Sequence, residues 1–237
     1  MKRVPGEISR SLSAFTLSWG QRGLGKMAEK LTASEYRQHR RVVMQSDEGQ
    51  RLVEWAQNIR YPEDADDLAQ RLIGAILSSG FSYDSAMRVV PRVLSALHNG
   101  RAVSSEFGHK RKARAIEGVW RERHTLLTSL PKGASLEDAF EWCQPIPFIR
   151  GPALRYQAVR DLGLADVAKP DRLMERIADR SGESVQGLCE RLARITGDSV
   201  GTVDVVLWYG ASKGIINGIR MRRRRPPCHA VPLVGHR

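Results

Sequence analysis

The stretch from Ile146 to Asp179 constrains the fold of this chain more than any other. It opens with a turn rich in proline and glycine, Pro147–Pro152, and continues with apolar residues spaced for one face of a helix. That helix is expected to stop at Gly163. After a short linker, Pro170 suits a first helical turn, and Asp171 follows it directly. The pattern predicts a helix, a tight hairpin, a second helix, and then a carboxylate at the N-terminus of a further helix.

The rest of the chain also shows helical periodicity, in eight further segments. No alternating pair of strands and no internal repeat is found, so the predicted class is all-α, a two-lobed helical bundle. Thr32 is expected to cap the first segment and Ser105 the fifth, and Ser135 with Asp138 resembles a capping box before the sixth. The predicted segments are Ala33–Gln45, Glu48–Asn58, Asp66–Ser79, Tyr83–Leu97, Glu106–Leu127, Leu136–Cys143, Ser184–Thr196 and Ser199–Ala211.

Positive charge is concentrated at the two ends of the chain. Residues 1–30 and 213–237 carry +4 and +7 of the net charge of +12, so residues 31–212 are nearly neutral. We predict one helical domain over 31–212 between two flexible basic tails. Basic tails on a nearly neutral body indicate a nucleic-acid partner, and tails that only solubilise or localise the chain are the alternative.

Several classes of protein are excluded by composition. No apolar run approaches the roughly 18 residues of a membrane span, and Ser11–Trp19 is too broken by Ser and Thr for a signal peptide. We therefore expect a cytoplasmic, nucleoid-associated protein. Three scattered cysteines, Cys143, Cys189 and Cys228, are too few for a four-thiolate cluster or a zinc site, so no metal site is expected.

The hairpin and three other motifs resemble the helix-hairpin-helix DNA glycosylase superfamily, which includes endonuclease III and the adenine-mismatch glycosylases. In that family a hairpin of the type Leu-Pro-Gly-Val-Gly is followed farther along the chain by a catalytic Asp just inside a helix. Here Ile146–Gly151 stands for the hairpin, and Asp171 falls at the catalytic position. The other motifs are a helix end at Leu72–Gly80, a helix start at Gly108–Ala113 and a late helix at Val203–Trp208, in the family's order.

Departures from the family pattern narrow what the resemblance implies. Bifunctional members place a Schiff-base Lys at the end of the hairpin, where this chain has Pro152 or Ala153. The resemblance therefore implies a monofunctional glycosylase without lyase activity. The family's Gln at the end of the early helix, which fills the opened duplex, is Gly80 here. Many relatives also carry a four-cysteine iron–sulfur cluster, which three cysteines cannot form.

Asp171 is the candidate catalytic residue. Removal of a base passes through a sugar with oxocarbenium character, which a nearby carboxylate stabilises while it orients or deprotonates water. A place in the first turn of a helix favours the ionised carboxylate that both roles need. The alternative is an acid that serves only the helix terminus.

DNA contacts are expected at the hairpin and at a second basic cluster. Backbone N–H groups at a turn bind phosphate oxygens, and glycine allows a close approach. The resemblance also permits a monovalent cation on the hairpin carbonyls, and no other cofactor is expected. An ordinary helix–helix turn and a solvated basic face are the alternatives. The candidate residues are Phe148, Ile149, Arg150, Gly151, Arg155, Lys110, Lys112 and Arg114.

The base pocket or the wedge that enters the duplex is expected where the early helix ends. An aromatic side chain there can stack on an extruded base or fill its gap, and core packing is the alternative for Phe81. The candidate residues are Ser79, Gly80, Phe81 and Tyr83. Asp204, near a later helix start, is interpreted as a structural acid.

The leading hypothesis is a monofunctional DNA glycosylase that acts as a monomer on double-stranded DNA. It would flip a damaged or modified base, hydrolyse the N-glycosidic bond with Asp171 and leave an abasic site. Modified thymines such as 5-hydroxymethyluracil, uracil and alkylated purines all stay open as targets. Two other classes compete: a phage-type transferase that modifies a hypermodified thymine without removing it, and a non-enzymatic helix-hairpin-helix protein in which Asp171 is dispensable.

Overall fold

The computed structural model describes residues 30–216, and over this range the chain is built from ten α-helices and one short 3-10 turn, Val103–Ser105. The part of the chain described contains no strand, so the predicted all-α class is confirmed. The helices are α1 (Ala33–Val43), α2 (Asp47–Gln57), α3 (Ala65–Ser78), α4 (Tyr83–His98), α5 (Lys110–Thr128), α6 (Leu136–Cys143), α7 (Pro152–Asp161), α8 (Arg172–Ser181), α9 (Val185–Thr196) and α10 (Val200–Ser212).

Side-chain caps define where most of these helices begin. Thr32 and Ser135 cap α1 and α6, as predicted, and each forms a complete capping box, with Glu35 and Asp138 respectively. Asp64 opens α3 in the same way by accepting from a backbone N–H of the first turn. These contacts are local in sequence, which is why the pattern of residues locates them.

The predicted start of α5 is wrong. Ser105 lies in the 3-10 turn and donates its hydroxyl to Ala102 O at 2.7 Å, so it does not cap a helix. The helix begins at Lys110, after His109, whose Nδ1 accepts from the Lys112 N–H at 3.3 Å. The segment between α4 and α5 is anchored by a contact of its own, because the buried Val103 donates its N–H to Glu117 of α5.

Two hydrophobic clusters hold the helices together. The first surrounds α3 and takes buried residues from α4, α5, α6 and α7, while the second surrounds α10 and takes them from α1, α2, α8 and α9. The chain crosses from the first cluster to the second between Val167 and Ala168. The segment that carries Asp171 therefore lies where the two halves of the bundle meet.

The predicted basic tails fall mostly outside the described residues, in 1–29 and 217–237. Lys213 lies on the body of the domain, with its Nζ 3.0 Å from a carboxylate oxygen of Glu48, and Ile216 is buried in the second cluster. Within residues 30–216, no helix combines the length and apolar character that crossing a bilayer requires.

Candidate active site

The predicted hairpin is a turn that joins α6 to α7 over residues 144–151. Two backbone hydrogen bonds close it: Ile146 N–H to Cys143 O at 3.2 Å, and Ile149 N–H to Ile146 O at 3.1 Å. Phe148 has a φ of 71°, and it is the one non-glycine residue in the described range with a left-handed backbone. This conformation is strained for a bulky side chain, so the surrounding structure must impose it.

The hairpin side chains differ in what they can reach. Ile149 is fully buried in the first cluster, so its side chain cannot contact DNA and only its backbone remains a candidate. Arg150 is exposed, whereas Arg155 donates to Arg150 O at 3.0 Å and lies over the Phe140 ring. Gly151 caps α7, and a Cβ placed there would meet no atom within 4 Å, which leaves an open approach to the turn.

The basic cluster at the start of α5 splits into two kinds of residue. Lys110 and Arg114 are exposed, as a phosphate contact requires. Lys112 is only 2% exposed, so its predicted role in phosphate binding is wrong. Its Nζ donates to Leu77 O at 3.1 Å and to Ser79 O, where the end of α3 leaves carbonyl groups without helical partners. Burial lowers the pKa of Lys112 to about 8.

The predicted pocket residues lie at the corner between α3 and α4. Phe81 has the one exposed aromatic ring among them. Phe81 is 40% exposed and lies under the Lys112 ammonium, 4.2 Å from the ring centroid. Ser79 caps the end of α3, and Gly80, with a φ of 75°, turns the chain. Tyr83 is half-buried, because its ring packs edge-on against Trp208 at 5.4 Å. Phe81 is therefore the member of this set best placed to meet a base.

The first turn of α5 connects this corner to the hairpin. Lys112 contacts the Phe81 ring, and His109, three residues earlier, packs edge-on against Phe148 with 6.2 Å between ring centroids. The structure thus brings the predicted hairpin and wedge segments to the same end of α5, although they are far apart in sequence.

Asp171 is the N-cap of α8, one residue before the helix rather than in its first turn as predicted. Its Oδ1 accepts from the Leu173 N–H at 2.9 Å and the Met174 N–H at 3.2 Å. Its Oδ2 lies 3.9 Å from the Nζ of Lys169, and both side chains are 20% exposed. One oxygen therefore orients the carboxylate, and the other lies beside an amine in a side chain that is partly exposed.

A buried group of charges lies next to Asp171 and was not predicted as part of the site. Arg160 of α7 bonds to Asp204 of α10 through Nη1 and to the neighbouring Asp161 through Nε at 2.9 Å. Asp204 is 2% exposed, and its second oxygen has no hydrogen-bond partner among the described residues. Burial raises the pKa of Asp204 to about 6, Arg160 opposes this rise, and the negative charge of Asp171 adds to it. The interpretation of Asp204 as a structural acid is compatible with this pairing.

The sequence carries a weak signal for this buried group of charges. Asp204 interrupts the apolar run Val203–Leu207, and Arg160 interrupts the buried face of α7 between Val159 and Leu162. Charged residues inside apolar runs need a partner when they are buried, so both positions call for one. The sequence does not show that they are each other's partner.

A surface cavity of about 310 Å³ lies beside the site but does not include Asp171. Three carboxylates, Glu175, Asp179 and Glu183, line it together with Tyr156 and Gln186. Negative side chains repel a phosphate backbone, so this cavity is unsuited to hold DNA.

The described residues contain no group of three His, Cys, Asp or Glu side chains that could hold a metal ion. A monovalent cation on the hairpin carbonyls stays a prediction. No family model, curated protein or solved structure matches this chain. The function is therefore inferred from the site itself.

Proposed function

We propose that the protein is a monofunctional DNA glycosylase, which flips a damaged or modified base and hydrolyses its N-glycosidic bond with Asp171. The observation that carries this proposal is that the two oxygens of that carboxylate have different partners. Oδ1 is held by two backbone N–H groups of α8, and Oδ2 lies beside Lys169 in a side chain that is partly exposed.

This geometry suits the charge that develops during base removal. The Asp171 carboxylate lies at the positive end of the α8 helix dipole, a position suited to a negatively charged group. The two N–H contacts fix its direction before a substrate arrives, so little reorganisation is needed when the sugar becomes positively charged. Partial burial strengthens the interaction between that charge and the carboxylate, since less water screens it.

The surface around α5 supports a DNA partner. Phe148 takes a left-handed backbone at the position where the resembled hairpin carries its first glycine, which supports a turn of that type. Lys110 and Arg114 place exposed positive charge at the N-terminus of a helix, where the backbone already favours anions. Phe81 projects from the adjoining corner and supplies a ring that could stack on a base or fill its gap.

The test compares wild type with Asp171→Asn on end-labelled duplexes that carry uracil, 5-hydroxymethyluracil, alkylated purines or mismatches. Asparagine caps a helix as well as aspartate does, so the variant keeps the fold while losing the negative charge. Wild type is expected to create strand breaks that depend on alkali, and Asp171→Asn to be slower by at least about 100-fold.

Other outcomes separate the competing functions. A base that stays in the DNA with a changed mass would replace the glycosylase by a transferase on the same scaffold. Equal DNA affinity of both proteins, with no product from any duplex, would favour a non-enzymatic DNA-binding protein whose Asp171 serves only as a helix cap.

A further inference from the structure

Lys169 places a cationic group beside the second carboxylate oxygen, Oδ2, of Asp171. Its Nζ lies 3.9 Å from Oδ2, and the Asp171 N–H donates to the Lys169 carbonyl at 2.8 Å, which holds the two residues in one tight turn. Both side chains are partly exposed. An amine and a carboxylate at this separation can act on adjacent atoms of one bond.

The groups that face the Lys169 amine come from three elements: Asp171 at the start of α8, Arg160 and Asp161 on α7, and Asp204 on α10. Burial has the largest effect on its pKa and lowers it, the three carboxylates oppose this, and Arg160 adds to the lowering. The net direction is downward. An ammonium group with a lowered pKa releases its proton more readily near neutral pH, which suits a general acid.

We propose that Lys169 is a second catalytic residue, a general acid that protonates the departing base while Asp171 stabilises the sugar. This inference rests on the proposed glycosylase function and deepens it. It assigns the acid to the turn before α8, whereas the family pattern directs attention to the end of the hairpin, where Pro152 and Ala153 carry no ionisable group.

The reaction balances with water as the only co-reactant. The C1′–N bond breaks, its electron pair goes to the base, and the base takes a proton from the Lys169 ammonium. Water attacks C1′ and loses a proton to Asp171. That proton returns to the Lys169 amine across the 3.9 Å between the two groups, so both residues regain their starting states.

This role narrows the class of substrate. A neutral nucleoside, such as one carrying uracil or a modified thymine, expels its base as an anion unless an acid protonates it. A ring-alkylated purine nucleoside is already cationic and releases a neutral base without help. A lysine ammonium assists the first class and repels the second, so the site favours neutral bases that are poor leaving groups.

The experiment measures single-turnover excision by the full chain on duplexes carrying uracil, 5-fluorouracil or 7-methylguanine. The variants are Lys169→Met and Lys169→Arg. The exposed Lys132, altered in the same two ways, provides the control. Fluorine makes uracil a better leaving group, so an acid matters less for it. Thermal unfolding of each variant checks that the fold is retained.

Loss of Lys169 is expected to slow uracil excision by at least about 100-fold and 5-fluorouracil excision by less than about 10-fold. Arginine keeps the positive charge but is too weak an acid to donate, so Lys169→Arg should resemble Lys169→Met rather than wild type. The pH–rate profile of wild type should fall on its basic side, and that fall should be absent from both variants. The Lys132 variants should match wild type on every duplex.

Four results would overturn the assignment: equal losses on uracil and 5-fluorouracil, rescue of the rate by arginine, Lys169 variants as fast as wild type, or a borohydride-trapped adduct that depends on Lys169. The last would show that the amine attacks the sugar instead of protonating the base. If wild type excises a base and the Lys169 variants equal it, only this inference fails. If wild type excises no base from any duplex, the proposed function fails with it.

Discussion

The guanidinium group of Arg160 and the carboxylate of Asp204 form a buried ion pair that joins α7 to α10. Arg160→Met leaves the Asp204 carboxylate without its partner in the interior. We expect this change to lower the free energy of unfolding by about 3 to 5 kcal/mol, measured by urea denaturation. Arg194→Met on the exposed face of α9 should change it by less than about 0.5 kcal/mol. Similar values for the two variants would show that the pair contributes no stability.

Asp204 should also make stability depend on pH. Its folded pKa, raised by burial to about 6 from an ordinary 3.8, means that the folded state holds this proton more tightly than the unfolded state does. Its contribution to stability is therefore present at low pH and is lost as pH rises through about 6. Asp204→Asn cannot titrate. The stability of wild type minus that of Asp204→Asn is expected to fall by an amount on the order of 2 kcal/mol between about pH 4 and 6. Parallel pH curves would contradict this.

Lys112 is expected to stabilise the fold, whereas Lys110 is not. Lys112→Met removes the buried ammonium that binds the Leu77 and Ser79 carbonyls, and it should lower the free energy of unfolding by about 1 to 3 kcal/mol. Lys110→Met, on an exposed side chain two residues earlier, is the matched control. It should weaken DNA binding without loss of stability. Weaker DNA binding by Lys112→Met without loss of stability would show instead that Lys112 contacts phosphate.

Phe81 is expected to affect DNA binding but not folding. Its ring is exposed at the α3–α4 corner, and base–aromatic stacking contributes about 1 to 3 kcal/mol. Phe81→Ala should therefore weaken binding to a duplex with an abasic-site analogue by that amount, measured by fluorescence anisotropy. Met87 on α4 is exposed to nearly the same degree, and Met87→Ala should leave affinity unchanged. Equal affinities of wild type and Phe81→Ala would remove the ring from the interface.

Deletion of residues 1–29 and 217–237 should weaken DNA binding and flatten its dependence on salt. These segments carry five and six Lys or Arg side chains. Each phosphate that the tails no longer neutralise reduces the log–log salt slope by about 0.9. The truncation keeps Lys213 and Ile216, which pack on the body of the domain. An unchanged slope in the truncated protein would show that the tails do not bind phosphate.

Several features of this protein are determined by short stretches of sequence alone. Thr32 and Ser135 cap their helices with partners three residues away, and apolar spacing locates the helices themselves to within a few residues. The hairpin before α7 and the place of Asp171 at the N-terminus of α8 follow from the same local signals. Such features are predictable because the interacting atoms lie within one turn of each other along the chain.

Tertiary packing alone decided which charged residues are inside. Lys110 and Lys112 look equivalent in sequence, yet only Lys112 lies against the end of α3, where unpaired carbonyls attract its ammonium. Arg160 of α7 pairs with Asp204 of α10, which lies 44 residues farther along the chain. Burial and ion pairing depend on neighbours that are remote in sequence, and only the folded chain brings those neighbours together.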